Sequence, residues 1–446
     1  MSRAAIQLVR LPAVEPAAAH DGLDVFRRRL RARHVHCSSH ARVSETNAWA
    51  SPYTCSIDAE PLERYRKGGY HPIRIGDLVH NGRYRIVHKL GWGGYSTVWA
   101  ARDQRLAKAS ASHENFAIKI AVSEQHKPVR ELIALTTLAE LKPGHPGVDH
   151  ILPLVDHFQI EGPNGKHECL VIDIVGPKVP DVTEQLCGGK GLPGGLAKCV
   201  AKQVLSALDC LHRFGIAHGN LHTGNFAFSI PSVRSLPERE LLQQLGDPDT
   251  APVYRQDGKQ CQKSVPEYLV RPTSWPLSRA LQSAPIKLID FGEAFSENEP
   301  PSTLHTPLVV RSPEAIFNDR LTVKSDLWSM GCALFELYTG QPPFDSIMIT
   351  PPLLVSQMLG STQDVLPERW EAAWQAMRPP PADVEDCLSL QELLEEIYFD
   401  DGNLRKDLSR DDIRELGRLI KLMLRLEPAA RASAREILES PWFRDA

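Results

Sequence analysis

The hydrophobic period changes once along this chain, and that change limits what it can build. Up to about residue 176 the apolar residues fall in short runs of strand type: a stretch with Tyr84, Ile86 and Val87, then Phe116–Ile120, then Glu168–Ile174. One stripe at helical spacing interrupts them, carrying Glu131, Leu132, Leu135 and Leu138. From Leu192 onward the period is helical. Val200, Val204, Leu208 and Leu211 form one stripe, and the segments Leu327–Leu337 and Ile413–Leu426 repeat it. Strands and helices segregated in this way predict an α+β, bilobal chain: a small β-rich lobe with one main helix over residues 60–176, and a larger, mostly helical lobe over 177–446.

A chain of 446 residues with 42% hydrophobic content has material for two lobes with a sizeable core. Its net charge of -4 gives no sign of direct nucleic-acid binding or of a polyanionic substrate. The nine cysteines are odd in number, scattered and free of C-x-x-C spacing, which suggests neither a disulfide framework nor a zinc site. A reducing compartment, cytoplasm or nucleus, is the expectation. No apolar run approaches the ~20 residues that span a bilayer, and no secretory h-region opens the chain, so no membrane role is expected. Residues 1–59 read as a basic, disordered leader. Its Arg27, Arg28, Arg29, Arg31 and Arg33 are of the kind found in mitochondrial import signals, but Glu15, Asp21 and Asp24 interrupt the pattern, so both readings stand. Ordered structure is expected from near Glu60, where Gly68, Gly69, His71 and Pro72 lead into the first strand.

An insertion occupies residues 229–285. Ser235 and Glu238 have capping-box spacing, Leu241, Leu242 and Leu245 follow, and Gly246 supplies a stop, which predicts a short helix. The rest is Pro-rich and expected on the surface.

The residues able to handle phosphate lie on either side of this insertion. Gly91, Gly93 and Gly94, with Ser96 and Val98, stand between two predicted strands, where small residues let backbone amides approach phosphate oxygens. Lys119, in Ala117–Lys119, follows at the distance of a phosphate-clamping lysine, and Glu131 on the predicted helix is the anion best placed to hold it extended. A surface lysine on a strand is the plainer alternative. Asp290 ends the apolar pair Leu288 and Ile289 and precedes Phe291 and Gly292. With Asn225 it offers the hard oxygen ligands that magnesium requires. The spacing from Asn220 to Asn225 is that of H-R-D-x-x-x-x-N.

Taken in this order, His218–Asn225, Asp290–Gly292, Ser312–Glu314 at an A-P-E position, the D-x-W-S-x-G run Asp326–Gly331, and Arg431 opposite Glu314 resemble eukaryotic protein kinases over residues 60–446. Within that superfamily Tyr65–Asp77, Tyr84–Gly93 and Ser96–Trp99 are similar to the serine/arginine-rich protein kinases, especially fungal ones. The resemblance implies a bilobal protein kinase fold, monomeric, and a serine/threonine kinase that uses ATP and Mg2+ on Arg/Ser-rich proteins of pre-mRNA splicing. It implies that the insertion falls where the family carries its spacer. It also implies structural roles for Glu314, Asp326 and Arg431, and aligns Ile172 as gatekeeper with Asp173 to Val175 offering backbone groups to adenine. A simple buried strand is compatible with the same residues.

Three positions depart from the family's loop. Gly219 replaces the arginine that binds an activation-loop phosphate, as in SR-protein kinases, which implies a loop ordered without phosphorylation. His222 replaces the loop lysine that meets the γ-phosphate; kinases resembling aminoglycoside phosphotransferases carry histidine there. Asn220 replaces the catalytic aspartate. Its amide oxygen accepts a hydrogen bond but takes up no proton at neutral pH. Two functions remain open on this evidence from the residues: a kinase with reduced turnover, and a nucleotide-binding pseudokinase that serves as scaffold or decoy for Arg-rich partners. A small-molecule kinase is disfavoured by Glu314, the Asp326 helix and Arg431. Downstream, the stretch Asp383–Glu415 is rich in acids and suits Arg-rich substrate; a solvated helix face is the alternative reading.

Overall fold

The computed structural model describes residues 51–105, 114–124, 127–141, 144–275, 284–346, 348–379, 388–399 and 407–444. Residues 1–50 of the leader, with its arginine cluster, therefore lie outside the described residues, as do Asp383, Glu385, Asp386, Asp400 and Asp401 of the acidic stretch.

Six antiparallel strands form the first lobe: β1 (Leu78–Val79), β2 (Tyr84–Gly93), β3 (Ser96–Asp103), β4 (Asn115–Ala121), β5 (Leu154–Gly162) and β6 (Gly165–Ile172), in the order β1-β2-β3-β4-β6-β5. Alternation decides which face is buried where. Tyr84, Ile86, Trp99, Phe116, Ile118 and Val171 close one core, while Val87, Ala100, Ala117 and Ile172 face a second. The helix predicted around Glu131 is α1 (Lys127–Leu141), and its buried Ala134, Leu135 and Leu138 join the large core of the second lobe.

That core is built on α2 (Gly194–Arg213) and a later helix, Lys324–Thr339, whose side chains from Ser325 to Phe335 are all buried. Between them a small sheet of three strands, β7 (Val175–Lys178), β8 (Phe226–Ser229) and β9 (Ile286–Leu288), with β8 central, carries the chain to and from the cleft. Glu314 and Arg431 close a buried bidentate pair, both contacts 2.7 Å. Arg431 also donates to the carbonyls of Arg425, Lys324 and Leu426, so its planar fork is fully used.

Two expectations need correction. The helix of the insertion is present as α3 (Glu238–Leu245), but the remainder does not simply lie on the surface. Val253, Val265, Leu269 and Val270 are buried against the first lobe, and Thr250–Pro252 pairs with Tyr268–Val270. Ordered structure also begins before Glu60, because Tyr53–Thr54 pairs antiparallel with Tyr254–Arg255 of the insertion. Glu60 itself is buried, in an ion pair with the buried Lys89 and accepting a hydrogen bond from Tyr65. Neither pairing has a local signature, because each partner comes from a remote part of the chain.

Candidate active site

The turn after β2 brings Gly91, Gly93 and Gly94 to the cleft, with Gly93 paired to Ser96 across the hairpin. A Cβ at any of these three glycines would meet nothing within 4 Å, and none has a left-handed φ. Their small size is thus not demanded by the backbone or by protein neighbours, and the space they leave is a cradle open to a bound group. The hairpin is pinned from the N-terminal side: Tyr70 donates its hydroxyl to the Gly93 carbonyl at 2.8 Å, and Arg64 donates to the Gly94 carbonyl at 2.6 Å.

Beneath the cradle, Val98 pairs with Lys119 and Ala117 with Ile172. Lys119 Nζ lies 2.6 Å from Glu131 Oε2 and 2.8 Å from Asp290 Oδ1, so one ammonium joins α1, β4 and the loop after β9. Burial alone would lower the lysine's pKa, but Asp290 and then Glu131 outweigh it and hold the ammonium above its ordinary range. The Asp290 carboxyl is correspondingly held well below the usual carboxylate range, first by Lys119. Asp290 has a left-handed φ of 64°, uncommon outside glycine. Phe291 behind it is buried and meets His218 edge-on with ring centroids 4.8 Å apart.

The loop after α2 is held from below by one carboxylate. Asp326 accepts from the amides of His218 (2.7 Å) and Gly219 (2.9 Å) and pairs with His212 at 3.0 Å. Burial raises the Asp326 pKa, yet these bonds win and keep it ionised. His218 Nε2 lies 3.0 Å from the Ile289 carbonyl while its Nδ1 accepts from the Asn220 amide at 3.3 Å, which fixes the neutral tautomer; burial likewise lowers its pKa. Asn225 donates its side-chain amide to the Asn220 carbonyl at 2.8 Å, and its own carbonyl accepts from Ile289 at 3.0 Å. The Asn225 Oδ1 is therefore the atom left for a cation. Asn220 Oδ1, in contrast, is buried without a hydrogen-bond partner.

His222 reaches the same cleft. Burial, and then the neighbouring His218, lower its pKa to about 4, so the imidazole is neutral at pH 7. Gly219 has a concrete steric reason. Its φ is +73°, and a Cβ there would stand 2.3 Å from the Glu293 carbonyl oxygen, so no side chain fits. The segment after Asp290 is ordered instead by Thr306, whose hydroxyl donates to the Gly219 carbonyl at 3.0 Å, and by Arg311, which donates twice to the Thr306 carbonyl.

Thus Asn220, His222, Asn225, Lys119, Glu131 and Asp290 converge on one cleft, Asp326 holds its loop from below, and Glu314 and Arg431 form a buried pair within the second lobe. Ile172 is almost buried at the end of β6, Asp173 accepts from Arg234 at 2.9 Å, and Val175 opens β7. Thr306, His212 and the half-buried Glu336, which accepts from Thr223 at 2.7 Å, were not singled out from sequence. Their neighbours are remote, and an isolated Thr or His carries no pattern. Of the described acids in the Asp383–Glu415 stretch, Glu392 and Asp412 cap the serines at 389 and 409, Asp411 and Glu415 pair with Arg414 and Arg418, and Asp407 accepts from Gly194 and Tyr398. Their charge is mostly engaged locally.

A divalent cation and a nucleotide suit this donor set: two hard oxygens, one strongly acidic, beside an ammonium and an empty glycine cradle. Among the described residues no group of three or more His, Cys, Asp or Glu could hold a metal ion.

Residues 277–443 match the protein kinase domain family. The chain is 28% identical over 424 residues to the serine/threonine-protein kinase SRPK of Physarum polycephalum, covering 86% of this chain and 91% of that one. It is 26% identical to protein kinase dsk1 of Schizosaccharomyces pombe, covering 86% and 85%. Over a shorter stretch, 43% of this chain and 34% of the relative, it is 34% identical to human SRSF protein kinase 3. Among the described residues no helix is long and apolar enough to cross a membrane.

Proposed function

With the chain a protein serine/threonine kinase of SR-protein-kinase-like type, we propose that it transfers the γ-phosphate of Mg-ATP to serine in Arg/Ser-rich proteins of pre-mRNA splicing, at a rate reduced by Asn220. The observation that carries this reading is the single ammonium of Lys119, held at 2.6 Å from Glu131 and 2.8 Å from Asp290. Glu131 is the contact that a phosphate-clamping lysine needs, and Asp290, the candidate metal ligand, stands beside the same ammonium.

In this reading Lys119, kept extended by Glu131, binds the α- and β-phosphates under the backbone amides of Gly91, Gly93 and Gly94. Ile172, Asp173 and Val175 bound the adenine end together with Val98 and Ala117. Asp290 and the Asn225 Oδ1 would hold magnesium, which when bound neutralises charge on the β- and γ-phosphates. Asn220 orients the substrate hydroxyl through its free Oδ1 but cannot accept the proton. His222, neutral, offers a hydrogen bond near the γ-phosphate rather than a fixed positive charge. Asp326 holds the loop that carries these groups.

Arginine of a substrate would meet the acidic surface of the second lobe. The pairs already present there are solvent-exposed and worth only about 0–1 kcal/mol each, so exchanging Arg414 or Arg418 for a substrate arginine costs little.

Asn220 also favours a second reading, a nucleotide-binding pseudokinase that retains Arg-rich partners without turnover. Radiolabelled phosphate transfer from ATP to an Arg/Ser-repeat peptide separates the two, with Lys119→Met as background. Transfer above that background supports the kinase; ATP binding without transfer supports the scaffold.

A further inference from the structure

The insertion bridges the two sides of the cleft at its adenine end. Thr273 donates its amide to the carbonyl of Lys89, the residue before Leu90 and Gly91, at 3.0 Å. Some forty residues earlier, Arg234 donates to Asp173, the residue after Ile172, at 2.9 Å. Between these anchors, Asn115 donates its side-chain amide to the carbonyls of both Val233 (2.9 Å) and Leu236 (2.8 Å). Glu238 pairs with Arg85 and Arg102 on the same face of the sheet. The insertion is therefore tied to the root of the glycine hairpin and to the strand end opposite it.

Its apolar side chains enter the cluster that the cleft itself presents. Val233, Leu241 and Leu245 are buried with Val87, Ala100, Ala117, Ile172 and Ile174. Leu242 and Trp275 are only half-buried, and they pack on this cluster together with Leu90, Val98, Val175 and Ile289, which are half-buried as well. The half-buried members, from the insertion and from the cleft alike, keep part of their apolar surface exposed. A flat aromatic ligand with an apolar face suits such a surface.

We propose that residues 233–275 of the insertion supply one wall of the nucleotide-base subsite, with Leu242 and Trp275 as base-contacting residues and the Thr273 and Arg234 anchors setting the width of the slot. The inference rests on the nucleotide-site reading given above. It makes base recognition, and not phosphate recognition, depend on the insertion.

The split between the two halves of the ligand is the test. Calorimetric titration with Mg-ATP and with Mg-tripolyphosphate, which lacks the base, is carried out on the natural chain, Trp275→Ala, Leu242→Ser and Arg234→Ala. The side chain of Arg234 is 43% exposed, and its guanidinium also lies over the Phe116 ring, 4.8 Å from the centroid, and 3.5 Å from Glu114, so its variant is read together with its melting temperature. Trp275→Ala and Leu242→Ser are each expected to weaken Mg-ATP about tenfold and leave tripolyphosphate unchanged, with Arg234→Ala a smaller effect in the same direction. Thermal melting without ligand identifies any variant that has lost its fold, and the other variants then decide. Unchanged ATP affinity overturns the proposal. So does tighter ATP binding, which would mean that Trp275 occupies the base position, and so does equal weakening of both ligands, which would mean a loosened lobe. If the natural chain binds neither ligand, the nucleotide-site reading falls and this one with it.

Discussion

Asn220→Asp changes one group at the centre of the cleft and leaves its supports in place. The backbone of residue 220 is held by the His218 ring and by the Asn225 side chain, and both bonds involve main-chain atoms of Asn220, so the substitution disturbs neither. The side-chain Oδ1 has no partner to lose. What is gained is a proton acceptor worth about 10²- to 10⁴-fold in rate, or about 2.7–5.4 kcal/mol of barrier. What is lost is some stability without nucleotide, because an ionised carboxylate replaces a buried amide oxygen that has no partner. The assay is phosphate transfer to an Arg/Ser-repeat peptide at saturating Mg-ATP, with kcat rising by that factor and the KM for ATP nearly unchanged, because the phosphate-clamping residues are untouched. A gain below threefold, with the variant folded and binding ATP, would refute the assignment of residue 220 as the position of the missing base.

Gly219→Arg, which would install the residue most protein kinases carry, is expected to lower the denaturation midpoint and to reduce transfer, since its Cβ would lie 2.3 Å from the Glu293 carbonyl; a stable, active variant contradicts the steric reading. Arg431→Leu strands a buried carboxylate at Glu314 and should cost about 3–5 kcal/mol in urea unfolding, whereas Glu314→Leu with Arg431→Leu should cost less than the single change; a double-variant loss equal to the sum of the two single losses would show that the pair has no coupling. The imidazoles of His222 and His71 are both lowered to about 4 by burial. The unfolded chain therefore binds more protons between about pH 4 and 6.5, and the melting temperature should fall as pH drops through that window. Asp290 acts in the same sense at lower pH, because its depressed pKa gives stability above the unfolded value that is lost on acidification. Ring-proton NMR showing either histidine titrating near 6.5 would contradict the burial argument.

Much of the cleft was legible because its residues sit in local patterns. Gly91 to Val98 lies between two alternating runs, Lys119 sits inside an apolar strand, and Asn220 to Asn225 carries its spacing within a single loop. The pairing of Lys119 with Glu131 was legible too, since Glu131 stands on the helical stripe that follows the lysine's strand. The course of the insertion was not. Its proline-rich sequence reads as surface loop, and nothing local tells that Val253, Leu269 and Val270 find a sheet to cover. Lys89 looked like an ordinary strand residue, and its buried partner Glu60 stood at the supposed edge of order. Periodicity reports which face of an element is apolar, but not which distant segment will meet it.

The pairing of Tyr53–Thr54 with Tyr254–Arg255 also sets a schedule. A ribosome releasing about 5–20 residues per second needs about 10–40 s to make the roughly two hundred residues between the two strands. During that interval the strand that opens the described chain has no partner, and Tyr65, Val122 and the rest of its core await Val253, Val265 and Leu269. The first lobe is therefore started before the second lobe and completed only when the second lobe is already emerging, so the nascent chain presents an unfinished apolar surface to chaperones until residues 253–269 have been made.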